Sequence, residues 1–147
     1  MIDIPRLFKH DPLPEIDYRQ ISSFFYDQLI DAFIFLTTDL PVDWNNYPQN
    51  SARLKILSDK FVISKVNDAL TLQCGRNEKE IIGNTLGHFY GKYFRENLDA
   101  WNNLIDHGEV FAEFTLLKKD GSPLWVEASY RFVKDDLKRT IGIIAVQ

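Results

Sequence analysis

The chain has 147 residues, 45% hydrophobic, 26% charged and 14% aromatic, a balance that fits one folded soluble domain and excludes a disordered chain or a second catalytic domain. Seventeen Lys and Arg against 21 Asp and Glu leave a formal charge of -4 with no basic stretch, which argues against nucleic acid as a partner. The lone cysteine, Cys74, excludes an intrachain disulfide and a zinc-type cysteine cluster, and fits a reducing compartment such as the cytoplasm.

No signal-peptide run opens the chain, and no segment has the roughly 20 apolar residues of a membrane span. Pro5, Pro12 and Pro14 make the first residues an irregular lead-in. From 16 to 31, Ile21, Phe24, Phe25 and Leu29 recur at helical steps opposite Arg19, Gln20, Asp27 and Gln28, which predicts an amphipathic helix. Residues 1–32 are therefore a lead-in and flanking helix, and the domain proper is expected at 33–147.

Phe33 to Thr38 is short, apolar and β-prone, and Asp39-Leu40-Pro41 ends it. Residues 41–52 are rich in Pro, Asn and Ser and predict a loop insertion, with Trp44 and Tyr47 folding back onto the body. A second strand is expected over 61–66, then a short helix capped by Asn67 and stopped after Cys74 by Gly75. Asn77-Glu78-Lys79-Glu80 has the form of a capping box, with Gly83 as the next stop. A longer helix is expected from Lys92 to His107, because Phe94, Leu98, Trp101 and Ile105 step along one face, and Gly108 closes it.

From Glu109 the period changes to two, and three strands follow in an antiparallel meander with turns at 119–122 and 135–138. Val110, Ala112, Phe114 and Leu116, with Leu124, Val126, Ala128, Tyr130 and Phe132, share the core face. The opposite face carries Phe111, Leu117, Trp125, Ile144 and Val146 beside Glu113, Glu127 and Arg131, so something must cover its apolar members. The apolar stripe at Phe24, Phe25 and Leu29, from the same or a second subunit, is the expected cover.

Specific residues carry a family resemblance. Ile63-Ser64-Lys65-Val66-Asn67-Asp68-Ala69, the run from Cys74 to Gly83, the hairpin Leu117 to Glu127 around Asp120-Gly121, and the closing strand Ile141 to Gln147 resemble, in order and spacing, the motifs of a PAS domain, or sensory box, of bacterial-type signalling proteins. The resemblance covers about residues 33–147. It implies an α+β fold with a PAS-like five-stranded antiparallel sheet and helices on one face, preceded by the N-terminal amphipathic helix. It further implies a non-enzymatic sensor in signal transduction, as in two-component systems, that binds a small ligand or partner. Such a sensor relays by homodimerisation to an output domain beyond this chain, a histidine kinase or a GGDEF-type cyclase.

Within that frame His88, Tyr93, Trp101, Phe114, Tyr130 and Gln147 are the candidate pocket residues for a small apolar or aromatic ligand. Flavin is disfavoured: 84–89 holds no cysteine, and Leu116 and Val126 stand where the flavin-binding branch has amides, leaving Gln147 as the one match. Haem is disfavoured because His88 precedes the long helix and His107 ends it, where the helix dipole already accounts for it. Cys74 reads as a small buried hydrophobe. Glu113 and Glu127 read as a solvated rim and not as paired acid and base, since alternation points both outward. No phosphate loop, nucleophile elbow or metal-ligand cluster appears. Two alternatives stay open: a pure dimerisation module without ligand, and a cone-fold isomerase-like enzyme, which needs an inward carboxylate that the meander lacks.

Overall fold

Strands of alternating burial build one five-stranded antiparallel sheet in the computed structural model, which describes residues 31–147. They are β1 (Phe33–Val42), β2 (Val62–Val66), β3 (Glu109–Leu117), β4 (Pro123–Lys134) and β5 (Thr140–Val146), in spatial order β2-β1-β5-β4-β3. Five helices lie between β1 and β3 in the sequence: α1 (Asn50–Lys60), α2 (Asp68–Cys74), α3 (Glu78–Ile81), α4 (Leu86–Tyr90) and α5 (Leu98–His107). The expected α+β architecture is therefore present. The N-terminal amphipathic helix, with Phe24, Phe25 and Leu29, lies outside the described residues.

Period-two patterning sets the meander as expected. Phe114 pairs with Val126, Ala112 with Ala128 and Tyr130 with Ala145, and the inward members Phe114, Leu116, Ala128 and Tyr130 are fully buried. The short helices begin and end where their caps dictate. Asn67 Oδ1 accepts from the Leu70 amide at 3.2 Å, and Gly75 closes α2 at φ 72°. Asn77 and Glu80 form the reciprocal capping box of α3.

Two elements differ from the sequence expectation. The 41–52 segment is not one loop: β1 runs to Val42, a 3-10 turn occupies Trp44–Asn46 and α1 starts at Asn50. Pairing of β1 with β5 jumps from Thr37 opposite Gly142 to Val42 opposite Thr140, so 38–41 bulges out and imitates a strand end. Helix α1 has a weak apolar stripe, Leu57 being its buried residue, and Gln49 gives it no side-chain cap. Tertiary contact holds it: a Cβ on Gly87 of α4 would lie 1.9 Å from Ser58 Oγ. Trp44 folds inward, stacked on Phe132 at 5.5 Å and on Phe61 at 6.4 Å, while Tyr47 stays exposed. Arg53 pins the turn by donating to the carbonyls of Tyr47 and Trp44.

The long helix begins at Leu98 and not at Lys92; 3-10 turns occupy Gly91–Tyr93 and Arg95–Asn97. Asn97 is buried and ties this break to the sheet. Its Nδ2 donates to the carbonyls of Tyr93 and Thr115, and its Oδ1 accepts from the Thr115 amide at 3.1 Å. The buried stripe of α5 is Ala100, Trp101, Leu104 and Ile105, so Leu98, expected on that face, is 37% exposed. Among the described residues no helix is long and apolar enough to cross a membrane.

Candidate functional site: an aromatic interior and an open sheet face

Trp101 is brought by α5 over the inner face of the sheet, where the registers of β3 and β4 present Phe114 and Tyr130. Its ring lies 5.0 Å from Phe114 and 5.3 Å edge-on from Tyr130, and its indole N–H donates to the Phe94 carbonyl at 3.0 Å. Three of the six candidate pocket residues therefore meet. The fourth ring is Tyr90, which sequence reasoning missed: it stands edge-on to Trp101 at 5.0 Å. Tyr90 lies on α4, ahead of the 3-10 turns that separate it from α5, so the apolar spacing of the long helix gave no sign of it. All four side chains are fully buried, and their rings pack against one another between α5 and the sheet.

The hydroxyls of Tyr90 and Tyr130 are 2.5 Å apart. One bond between two hydroxyls uses one proton, so the second points elsewhere in the interior. Burial pushes both phenols above their ordinary value, the bond from Tyr90 working the other way on Tyr130. Both are neutral hydrogen-bonding groups inside an apolar core.

The remaining candidates lie elsewhere. His88 is exposed on α4, its amide donating to the capping Thr85 hydroxyl. Tyr93 is half-buried, with Lys92 Nζ 5.1 Å above its ring. Gln147 is half-buried and donates through Nε2 to Gln73 Oε1 at 3.0 Å, while its own Oε1 is buried without a hydrogen-bond partner among the described residues. Cys74 is buried at the end of α2, and burial pushes its thiol up, away from the thiolate. His107 ends α5, its Nδ1 3.1 Å from the Asn103 carbonyl. Among the described residues no cluster of His, Cys, Asp or Glu is placed to hold a metal ion. A surface groove of about 440 Å³ runs between α1 and the start of α5, with Leu54, Phe94 and Leu98 in its wall.

The outer sheet face divides in two. Across β1 and β5, Phe35 opposes Ile144 and Phe33 opposes Val146; Phe33 is buried and the other three are half-buried. Across β3 and β4, Phe111 is 71% and Trp125 64% exposed. Leu117, expected on this face, sits at the end of β3, where a Cβ on Gly91 would come within 2.9 Å of it. Glu113 and Glu127 are exposed outer-face partners.

No curated protein matches the chain. Among solved structures it is similar to the PAS domain of a protein from Colwellia psychrerythraea, at 15% identity over 88% of this chain and 94% of that one, TM-score 0.62. It is also similar to an RNA-binding light-oxygen-voltage receptor, at 16% identity and TM-score 0.64 over 92% of this chain, which spans only 34% of that receptor. A light-oxygen-voltage domain studied with a flavin analogue matches at 14% identity, TM-score 0.60, over 89% of this chain and 84% of that one. These likenesses are of fold. A PAS domain family model matches residues 54–147, and the chain belongs to the PAS domain family.

Proposed function

We propose that this PAS domain is a cytoplasmic sensory and regulatory module that signals by association across the outer face of its sheet. Its output is a separate domain such as a histidine kinase or a GGDEF-type cyclase. The observation that carries this reading is the contrast between the two faces. The inner face is closed by its own rings, while the outer face leaves large apolar side chains in water, an arrangement that marks interaction surfaces. The half built from Phe35, Ile144 and Val146 has no charged residue among those positions and suits a homodimer contact, with the change in association transmitted to flanking segments. Sedimentation of the native protein and of Ile144→Glu tests it: the variant is expected to be monomeric at concentrations where the native chain is dimeric. A dimer unaffected by that charge removes the interface.

A second reading, a small interior ligand, is favoured by one specific observation. The buried Oε1 of Gln147 lacks a donor among the described residues, and the Tyr90–Tyr130 pair has a proton to spare, so the interior holds unused polar capacity. Native mass spectrometry with an absorption spectrum of the purified protein checks it; retention of a stoichiometric small molecule supports this reading, and bare protein mass in every preparation rejects it.

A further inference from the structure

The outer face of β3 and β4 carries an arrangement that is unfavourable in an isolated sheet. Glu113 and Glu127 are cross-strand partners, and like charges placed opposite each other on one face destabilise the pairing. Neither forms an ion pair or hydrogen bond with another described residue. The cation two positions beyond Ser129 on this face, Arg131, is already bound by Glu109 at 2.7 Å. One pair along in each direction stand Phe111, opposite Ser129, and Trp125, opposite Thr115. Two carboxylates are thus flanked by two rings that are 71% and 64% exposed.

One kind of neighbour relieves both features. A guanidinium is planar, forks to carboxylate oxygens and stacks on an indole face, whereas an ammonium supplies only a point charge. We propose that this patch seats an arginine-bearing segment of a partner protein, the guanidinium between Glu113 and Glu127 and against Trp125, with an apolar neighbour of that arginine on Phe111. The proposal rests on the outer face being an association surface and names the chemistry that docks on its β3–β4 half. Charge selects this occupant over two others. A second copy facing the same patch sets carboxylates against carboxylates, and residues 16–31 carry Asp17, Asp27 and Asp31 against one Arg19.

The test uses the whole chain and a short synthetic peptide in which two arginines alternate with leucines, beside versions carrying lysine and citrulline. Binding is followed by backbone amide shifts and by quenching of the exposed Trp125 with acrylamide. The arginine peptide is expected to shift amides of β3 and β4 and shield Trp125, the lysine version to bind several-fold more weakly, and the citrulline version not to bind. Glu113→Gln with Glu127→Gln is expected to weaken the arginine peptide about tenfold while the melting temperature stays level or rises, since a repulsion has been removed. Equal affinity for native and doubly substituted protein overturns the proposal, as do shifts confined to the helical side. A Trp125 already shielded in the native protein overturns it too, by a second copy if shielding grows with concentration and by residues 16–31 if it does not. If the peptide fails while Ile144→Glu still breaks the dimer, the arginine seat falls and the association reading stands; if the peptide binds while Ile144→Glu changes nothing, the dimer placement falls instead.

Discussion

Tyr90 and Tyr130 meet hydroxyl to hydroxyl at 2.5 Å, both fully buried, although α4 and β4 lie far apart in the sequence. Each is the other's polar partner, so removing one hydroxyl strands the other in an apolar core. Tyr90→Phe or Tyr130→Phe alone is expected to cost about 1–3 kcal/mol, and the double substitution less than the sum of the singles. Denaturant unfolding of the four proteins measures this; additive losses mean that the bond contributes nothing. The pair also sets an alkaline limit. Burial raises both folded-state values, so the stabilisation is whole below about pH 10 and declines as pH climbs through the raised values, because the unfolded chain releases its protons first. The doubly substituted protein is expected to show a shallower fall above pH 10.

Trp44 closes one end of the core. It lies over Phe132 and Phe61, and its indole N–H donates to the hydroxyl of the fully buried Thr140 at 2.9 Å. Trp44→Phe keeps a ring in place and loses the donor, at about 1 kcal/mol. Trp44→Ala removes the ring as well and is expected to cost about 3 kcal/mol, the lower end for a large aromatic because the side chain is half-buried. Equal losses in thermal unfolding of the two variants contradict the stacking role.

Asn97 substitutes for a missing turn of helix. Its amide satisfies two carbonyls and one backbone N–H at the junction of the 3-10 segment, α5 and β3. Asn97→Ala is expected to cost about 2 kcal/mol or more. Asn97→Asp, nearly identical in shape, is expected to be worse at neutral pH, since it aims a buried carboxylate at two carbonyl oxygens. Acidification to about pH 4 protonates that carboxyl and narrows the gap between the two variants, which equilibrium unfolding at both pH values resolves.

Asp135 organises the β4–β5 turn by accepting from the amides of Leu137 and Arg139 and from the Arg139 guanidinium. Those donors, the Arg139 amide foremost, hold its carboxyl below the usual range. A depressed value stabilises the fold above the unfolded-state value of about 3.9 and the effect is lost as pH falls through the lower folded value. Asp135→Asn is therefore expected to be less stable than the native protein at pH 6 and to converge on it as the pH falls through the lowered folded-state value, as followed by circular dichroism.

Much of the architecture was legible in the residues because local rules agree with the global fold. The meander announced itself through alternation, and the boundaries of α2 and α3 through Asn67, Gly75 and the Asn77–Glu80 box. Helix α1 was not legible, since SARLKILSDK has little apolar asymmetry and is held by the close approach of Gly87 to Ser58. The true start of α5 was hidden because apolar spacing runs smoothly through Phe94 and Leu98, while the break is enforced by hydrogen bonds of Asn97 to a strand not yet placed. Of the candidate residues, Trp101, Phe114 and Tyr130 were brought together by face, and Tyr90 was missed because it lies on α4, before the segment read as the long helix. His88 and Tyr93 were named for their chemistry, and the structure leaves the first exposed and the second half-buried.

The strand order β2-β1-β5-β4-β3 places the final strand at the centre, between β1 and β4. The β1–β2 and β3–β4 ladders can each form from what precedes β5, yet they remain two separate half-sheets until it inserts and draws Ile34 and Tyr130 to opposite sides of Ala145. During synthesis a continuous core therefore forms only once residues 140–146 have emerged. In the finished protein, a force applied just beyond Val146 reaches the keystone of the sheet directly and both flanks together.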